Sequence, residues 1–175
     1  MVLGKGTVGK TSLIFKYIKN SCPQEHDPTV EDSYVTQITS STGEERRFKI
    51  LDTAGEDDYQ TMIDEWIKAA DGFLLLFAIN DKESFSLIRG KRERILKGKH
   101  GEPTPMVLVG NKQDLKDRKV QYNEAKQLAD LWGIEYIETS AKTNFNVKEA
   151  FEKLVLKISA SRNKPKSGGC PCNII

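Results

Sequence analysis

Residues 4–11 read GKGTVGKT, that is Gly4-Lys5-Gly6-Thr7-Val8-Gly9-Lys10-Thr11, and the fold is read outward from this stretch. It fits the pattern G-x-x-x-x-G-K-[ST], the P-loop, in which a glycine-rich turn between a strand and a helix wraps phosphate oxygens with backbone N–H groups. Gly4, Gly6 and Gly9 let the main chain turn and approach a pyrophosphate, with Thr7 and Val8 completing the cradle, and the start of the following helix adds partial positive charge. Lys10 is the expected β/γ-phosphate contact, and Thr11 the expected Mg²⁺ ligand through its hydroxyl. The flanks agree with this reading. Met1–Leu3 is an apolar stub, and Lys10–Asn20 predicts a helix with Leu13, Ile14, Tyr17 and Ile18 on its buried side. The motif alone leaves ATPases, kinases and GTPases open.

Two further stretches narrow the choice. Asp52-Thr53-Ala54-Gly55 ends a predicted strand, so Asp52 is placed to hold Mg²⁺ directly or through water, and Gly55 to offer an unobstructed N–H to a γ-phosphate. Asn111-Lys112-Gln113-Asp114 follows another apolar run. A carboxylate there accepts the paired N1–H and N2–H of guanine, a pattern adenine does not present, so Asp114 favours guanine over adenine. Lys112 can lie along the base plane. Ser140-Ala141-Lys142 comes after the last apolar strand, where the Ala141 N–H is placed to meet guanine O6. Phosphate cradle, metal and γ-phosphate sensor, and base reader together predict a GTP/GDP site with Mg²⁺.

The rest of the chain predicts an α/β sheet around that site. Residues Cys22 to Val30 are polar, carry Pro23 and Pro28, and read as a loop across the nucleotide. Tyr34–Thr39 and Glu45–Asp52 flank Ser40–Gly43 as an antiparallel hairpin. A helix is expected near Tyr59–Lys68. Phe73–Ile79 is continuously apolar, as a strand buried on both faces should be. Ser84 is the expected cap of a helix towards Lys97 that Gly90 weakens. Pro105–Val109 and Ile134–Glu138 read as strands, Asn123–Trp132 and Val147–Ser159 as helices, with Gly133 ending the first of these. Ligand loops of such a sheet belong beyond the carboxyl ends of its strands, where all three motifs fall. The first strand is uncomfortably short, and a weakened centre of the sheet is the expected consequence.

Composition bounds the function classes. A chain of 175 residues with 38% hydrophobic side chains suits one compact domain. With 27 basic against 25 acidic side chains and a net charge of +2, electrostatics point away from a nucleic-acid partner. Three cysteines, two of them in the polar C-terminal stretch, do not make a disulfide scaffold and fit reducing cytosol. Phe73–Ile79 is the longest apolar run and falls well short of the roughly 18–20 residues that span a bilayer.

Across nearly its whole length the chain closely resembles the Ras family of small GTPases. The resemblance is carried by GKGTVGKT at 4–11, DPTVEDSY at 27–34, DTAG at 52–55, GFLLLFAIN at 72–80, PMVLVGNKQDL at 105–115 and YIETSAK at 136–142. It implies a P-loop NTPase fold: a six-stranded, mostly parallel sheet with one antiparallel edge strand and helices on both faces, spanning residues 1–160. It also implies a GTP/GDP switch served by exchange factors, GTPase-activating proteins and effectors with Ras-binding-like domains. Thr29 becomes the switch threonine that ligates Mg²⁺ and senses the γ-phosphate. Asp27, Pro28, Thr29, Val30, Glu31, Asp32, Ser33 and Tyr34 become the effector-binding segment, beside an edge strand able to recruit a partner sheet. Gly6 stands where bulk obstructs an arginine finger. The expected catalytic set is Lys10, Thr29, Gly55 and Glu56.

Three positions depart from the family pattern. Glu56 stands where a water-orienting glutamine is general, Cys22 where an aromatic usually packs on guanine, and His26 where tyrosine is common. A small-molecule kinase is a distant alternative, and a nucleotide-retaining, hydrolysis-poor binding module a closer one. Residues 161–175 read as a flexible basic tail in which Arg162, Lys164 and Lys166 precede a C-a-a-X-like ending. Cys172 is the candidate prenylation site and Cys170 a second acylation site, a two-signal anchor to anionic lipid on the cytoplasmic face of a membrane.

Overall fold

The computed structural model describes residues 1–19, 31–39, 45–53 and 60–162. Elements follow in the order β1 (Val2–Leu3), α1 (Lys10–Lys19), β2 (Glu31–Thr39), β3 (Glu45–Thr53), α2 (Gln60–Ala69), β4 (Phe73–Ala78), α3 (Lys82–Gly98), β5 (Met106–Asn111), α4 (Tyr122–Leu131), β6 (Glu135–Glu138) and α5 (Val147–Arg162). They form a six-stranded sheet in the order β2-β3-β1-β4-β5-β6. The β2–β3 pair is antiparallel and the other pairs are parallel, as expected from the sequence.

The apolar run of β4 explains the layers. Every residue from Phe73 to Ala78 is buried. Because side chains alternate along a strand, Phe73, Leu75 and Phe77 face one core while Leu74, Leu76 and Ala78 face the other. The first core is closed by Ile63 and Ile67 of α2, Phe85, Ile88 and Ile95 of α3, and Leu128 of α4. Leu13 and Ile14 of α1 and Phe151 and Leu154 of α5 close the second. Burying one such side chain stabilises by roughly 1.5–3 kcal/mol, so β4 contributes to both cores at once.

Two details differ from the sequence reading. Asp81, not Ser84, is the N-cap of α3: its carboxylate accepts from Glu83 N at 3.0 Å and Ser84 N at 3.2 Å. Ser84 lies in the first turn, where its hydroxyl accepts from Ala78 N and donates to Asp81 O instead. Both residue types cap well, and the tight turn after β4 selects the earlier one. Helix α5 continues to Arg162, whose guanidinium meets Asp71 at 2.7 Å, so this residue belongs to the folded domain rather than to the basic tail. The remaining tail residues, 163–175, lie outside the described residues.

Strand β1 is shorter still than the apolar stub, with Val2 opposite Asp52 of β3 and Val2 and Leu3 opposite Leu74 and Leu75 of β4. Strand β3 runs on past it. Beside that stretch a groove of about 730 Å³ opens between β3, α5 and the end of α2, lined by Phe48, Ile50, Trp66, Leu154 and Ile158 among others. Among the described residues, no helix is long and apolar enough to cross a membrane.

Candidate functional site

The phosphate loop joins β1 to α1 and is built from backbone that few residues adopt. Gly9 has φ +93°, and Thr7 takes the left-handed conformation at φ +66°, uncommon for a residue with a Cβ. A Cβ at Gly4 would stand 2.3 Å from the Leu76 carbonyl oxygen, and one at Gly9 would stand 2.6 Å from Nδ2 of Asn111. Gly4 and Gly9 are therefore required by the packing itself. Gly6 has nothing within 4 Å, so the protein's own described atoms do not demand glycine there.

Lys10 opens α1 and is buried at 6% exposure. Its ammonium donates to the carbonyl oxygen of Lys5 at 3.1 Å. Burial pulls its pKa down to about 8, against the attraction of the Asp52 carboxylate, and the like charge of Lys91 adds a smaller push in the same downward direction. Asp52 itself is fully buried near the end of β3. Its neighbour Thr53 donates its hydroxyl to the Val2 carbonyl at 2.9 Å, which ties that strand end to β1 just before the loop. Thr11 follows Lys10 in the first turn of α1. A hydroxyl and a carboxylate are hard oxygen donors of the kind Mg²⁺ takes alongside substrate phosphates and water, so this pair fits that ion. Thr29, Gly55 and Glu56 lie outside the described residues.

The base end is assembled by Asn111, the last residue of β5, which is buried at 2% exposure. Its amide nitrogen donates to the Val8 carbonyl at 2.9 Å, and its amide oxygen accepts from Thr139 Oγ1 at 3.2 Å and from Ala141 N at 3.3 Å. One side chain thus fastens the phosphate loop to both segments that the sequence offers for guanine. The Ala141 N–H assigned to guanine O6 points towards Asn111 in a long bond, so a base oxygen would compete for or share that donor.

Asp114 is half-buried and receives the Ser140 hydroxyl at 2.6 Å. Ser140 in turn accepts from Thr143 N at 3.1 Å. The structure therefore makes Ser140 the orienter of Asp114. Lys112 adopts φ +68°, and the backbone of Gln113 donates to Thr139 O at 3.0 Å, which zips the two segments together. Lys112 is half-buried, while Lys142 is exposed.

Thr139 and the Arg118–Glu138 pair escaped the sequence reading. Arg118 grips Glu138 with two hydrogen bonds of 2.7 and 2.8 Å and also donates to Val120 O. Tyr136 adds its hydroxyl to the same carboxylate at 2.8 Å. The group braces the chain that follows Asp114 against the strand that leads into Ser140. An arginine amid the charges of residues 116–119 carries no local signal of that role.

Of the segment read as effector-binding, residues 31–34 begin β2, at one edge of the sheet. Glu31 pairs with Thr53 and Asp32 with Asp52, so this edge starts beside the metal-binding carboxylate candidate. Tyr34 meets Phe15 of α1 edge to face at 5.5 Å, and Val35 is 72% exposed. Asp27, Pro28 and Val30, like Cys22, His26, Cys170 and Cys172, lie outside the described residues. Compared with protein-family models, residues 1–160 match the one described as the Ras family.

Proposed function

The chain belongs to the Ras family, whose members are small GTPases that switch between GTP- and GDP-bound states with Mg²⁺, and from that premise we propose that it hydrolyses GTP slowly and binds effectors through residues 27–34 when GTP-bound. The observation that carries this reading is the Asn111 clasp. It holds Val8 of the phosphate loop and the Asp114 and Ala141 segments together, so one ligand with phosphates at one end and a purine at the other spans both.

In this reading Lys10 and the N–H groups of residues 6–11 hold the β and γ phosphates, and Thr11, Thr29 and Asp52 hold Mg²⁺. The ion supplies charge stabilisation on the transferring phosphoryl group. Gly55 N–H marks the γ-phosphate; water attacks the γ-phosphorus in line as its bond to the β–γ bridging oxygen breaks, GDP leaves with that electron pair, the water's proton passes to the phosphate product or to solvent, and Lys10 stabilises the charge that develops on phosphate oxygens. Asp114 accepts from guanine N1–H and N2–H, Lys112 flanks the ring, and Ser140, Ala141 and Lys142 close the base side. The family generally works with exchange factors, GTPase-activating proteins and effectors. For this chain, prenylation of Cys172, a second acyl group on Cys170 and the lysines at 164 and 166 give a membrane anchor.

Competition titration tests the base assignment: GTP and GDP should bind at least about 100-fold more tightly than ATP, because adenine leaves Asp114 unpaired. Equal affinity for ATP would sink it. Glu56 favours a second reading, a switch that is turned off poorly. An ionised glutamate accepts a bond from the attacking water but has no amide N–H for phosphate oxygens or an arginine finger, and its usual pKa of about 4.3 makes it a weak base. Glu56→Gln should raise partner-stimulated turnover more than intrinsic turnover, with little change in affinity. Single-turnover rates with and without an activating protein decide this, and equal stimulation of both forms removes Glu56 as the cause.

A further inference from the structure

Lys5 is the other charged residue of the phosphate loop besides Lys10, and its two ends do different things. Its peptide carbonyl is the acceptor on which the Lys10 ammonium rests, at 3.1 Å. Its own ammonium leaves the loop and reaches Glu83 Oε2 at 2.5 Å and Asp81 Oδ2 at 3.5 Å. The Glu83 hydrogen bond raises the Lys5 pKa, so the cation persists at any physiological pH. The anchor on the far side is stiff. Asp81 caps α3 with its other carboxylate oxygen, its N–H donates to Ala78 O at 2.9 Å, and Ser84 joins Ala78 N to the cap. That block is continuous with β4, whose six residues are all buried.

We propose that Lys5 is a positioning residue: its ion pair with Glu83 and Asp81 holds in place the peptide that carries Lys10, and so slows the release of bound guanine nucleotide. The inference rests on the guanine-nucleotide reading above and adds to it a residue that tunes exchange. Lys5 acts through Lys10, which meets the phosphates, and through the shape of the loop. A rival role gives the opposite sign for one variant. If Lys5 served as a spare cation attracting phosphate directly, freeing it from Glu83 would tighten nucleotide. If Lys5 is an anchor, freeing it loosens the loop.

The test is release of a fluorescent GDP analogue from the loaded full chain, chased with excess unlabelled GDP in Mg²⁺. Lys5→Met and Glu83→Gln should each speed release by about two- to fivefold, the scale of a partly exposed ion pair. The double variant should be no faster than the faster single one, since both remove the same contact. Lys5→Arg should release at nearly the original rate. Raising salt from about 0.05 to about 0.5 M should accelerate the original protein more than Lys5→Met, because screening already weakens the pair that the variant lacks. Slower or unchanged release from Glu83→Gln, or singles that multiply in the double variant, would overturn the anchor. Failure of the original protein to take up the analogue at all would overturn the nucleotide reading and this inference with it, whereas uptake with unaltered release rates overturns the anchor alone.

Discussion

Lys10 shows how a single residue can carry both architecture and chemistry. A primary ammonium at the start of a helix, shut away from water and resting on one carbonyl, holds its proton less tightly than in solution, with a pKa of about 8 rather than 10.5. Phosphate oxygens brought beside it would restore the proton. The sign of the linkage follows: above pH 8 the free protein has lost a proton that the complex regains, so GDP affinity falls as pH rises through that value, and below it the effect vanishes. Calorimetry in buffers of different ionisation enthalpy should find close to one proton taken up per GDP at about pH 9 and little uptake near neutrality. Equal uptake at both would place the titration elsewhere. Residue-scale chemistry of this kind was legible in part. Lys10, Asp52 and Asp114 announce themselves because each sits in a contiguous motif, whereas the charges of Asp52 and Lys91 that act on Lys10 come from chain far away in sequence.

Helix α3 is the element where local signals and the folded result part most clearly. The sequence reading begins it at Ser84, while the turn out of β4 brings Asp81 into extended backbone, where its carboxylate reaches two free N–H groups. Gly90, in the middle of the helix, has no positive φ and nothing within 4 Å of where a Cβ would stand, so neither conformation nor packing requires it. Gly90→Ala should therefore stabilise the protein by about 0.4–1 kcal/mol, read as a higher denaturant midpoint with an unchanged slope. A loss of stability would mean that the helix surface there meets something outside the described residues. The strands were easier to read. Continuous burial writes an unbroken apolar run into β4 and β5, and strands of that kind need no tertiary information to be found.

At the scale of the whole molecule, the site exists because three loops from separate strand ends are tied to one amide. Removing it leaves the Val8 carbonyl, the Thr139 hydroxyl and the Ala141 N–H without their partner from Asn111. Asn111→Ala should cost about 1–3 kcal/mol of stability, the scale of leaving buried polar groups unsatisfied, and should speed GDP release as well. Asp114→Asn should alter nucleotide preference with little loss of stability, since Asp114 is half-exposed and lies at the mouth of the site. Denaturation and nucleotide-release measurements on the two variants separate them; a matching loss of stability in both would contradict the clasp.

The sequence by itself determined the fold class and marked the residues proposed to meet phosphate, metal and guanine, because loops built to cradle phosphate are made of consecutive backbone and mark themselves by spacing. Tertiary structure alone decided what each amide, hydroxyl and ion pair does. Asn111 turned inward to hold three loops, Ser140 came to orient Asp114, and Lys5 found Glu83 across 78 residues of chain. Hydrogen bonds and ion pairs depend on distances of a few ångströms between groups, and residues far apart in the chain acquire such distances only when the sheet and its two cores have closed.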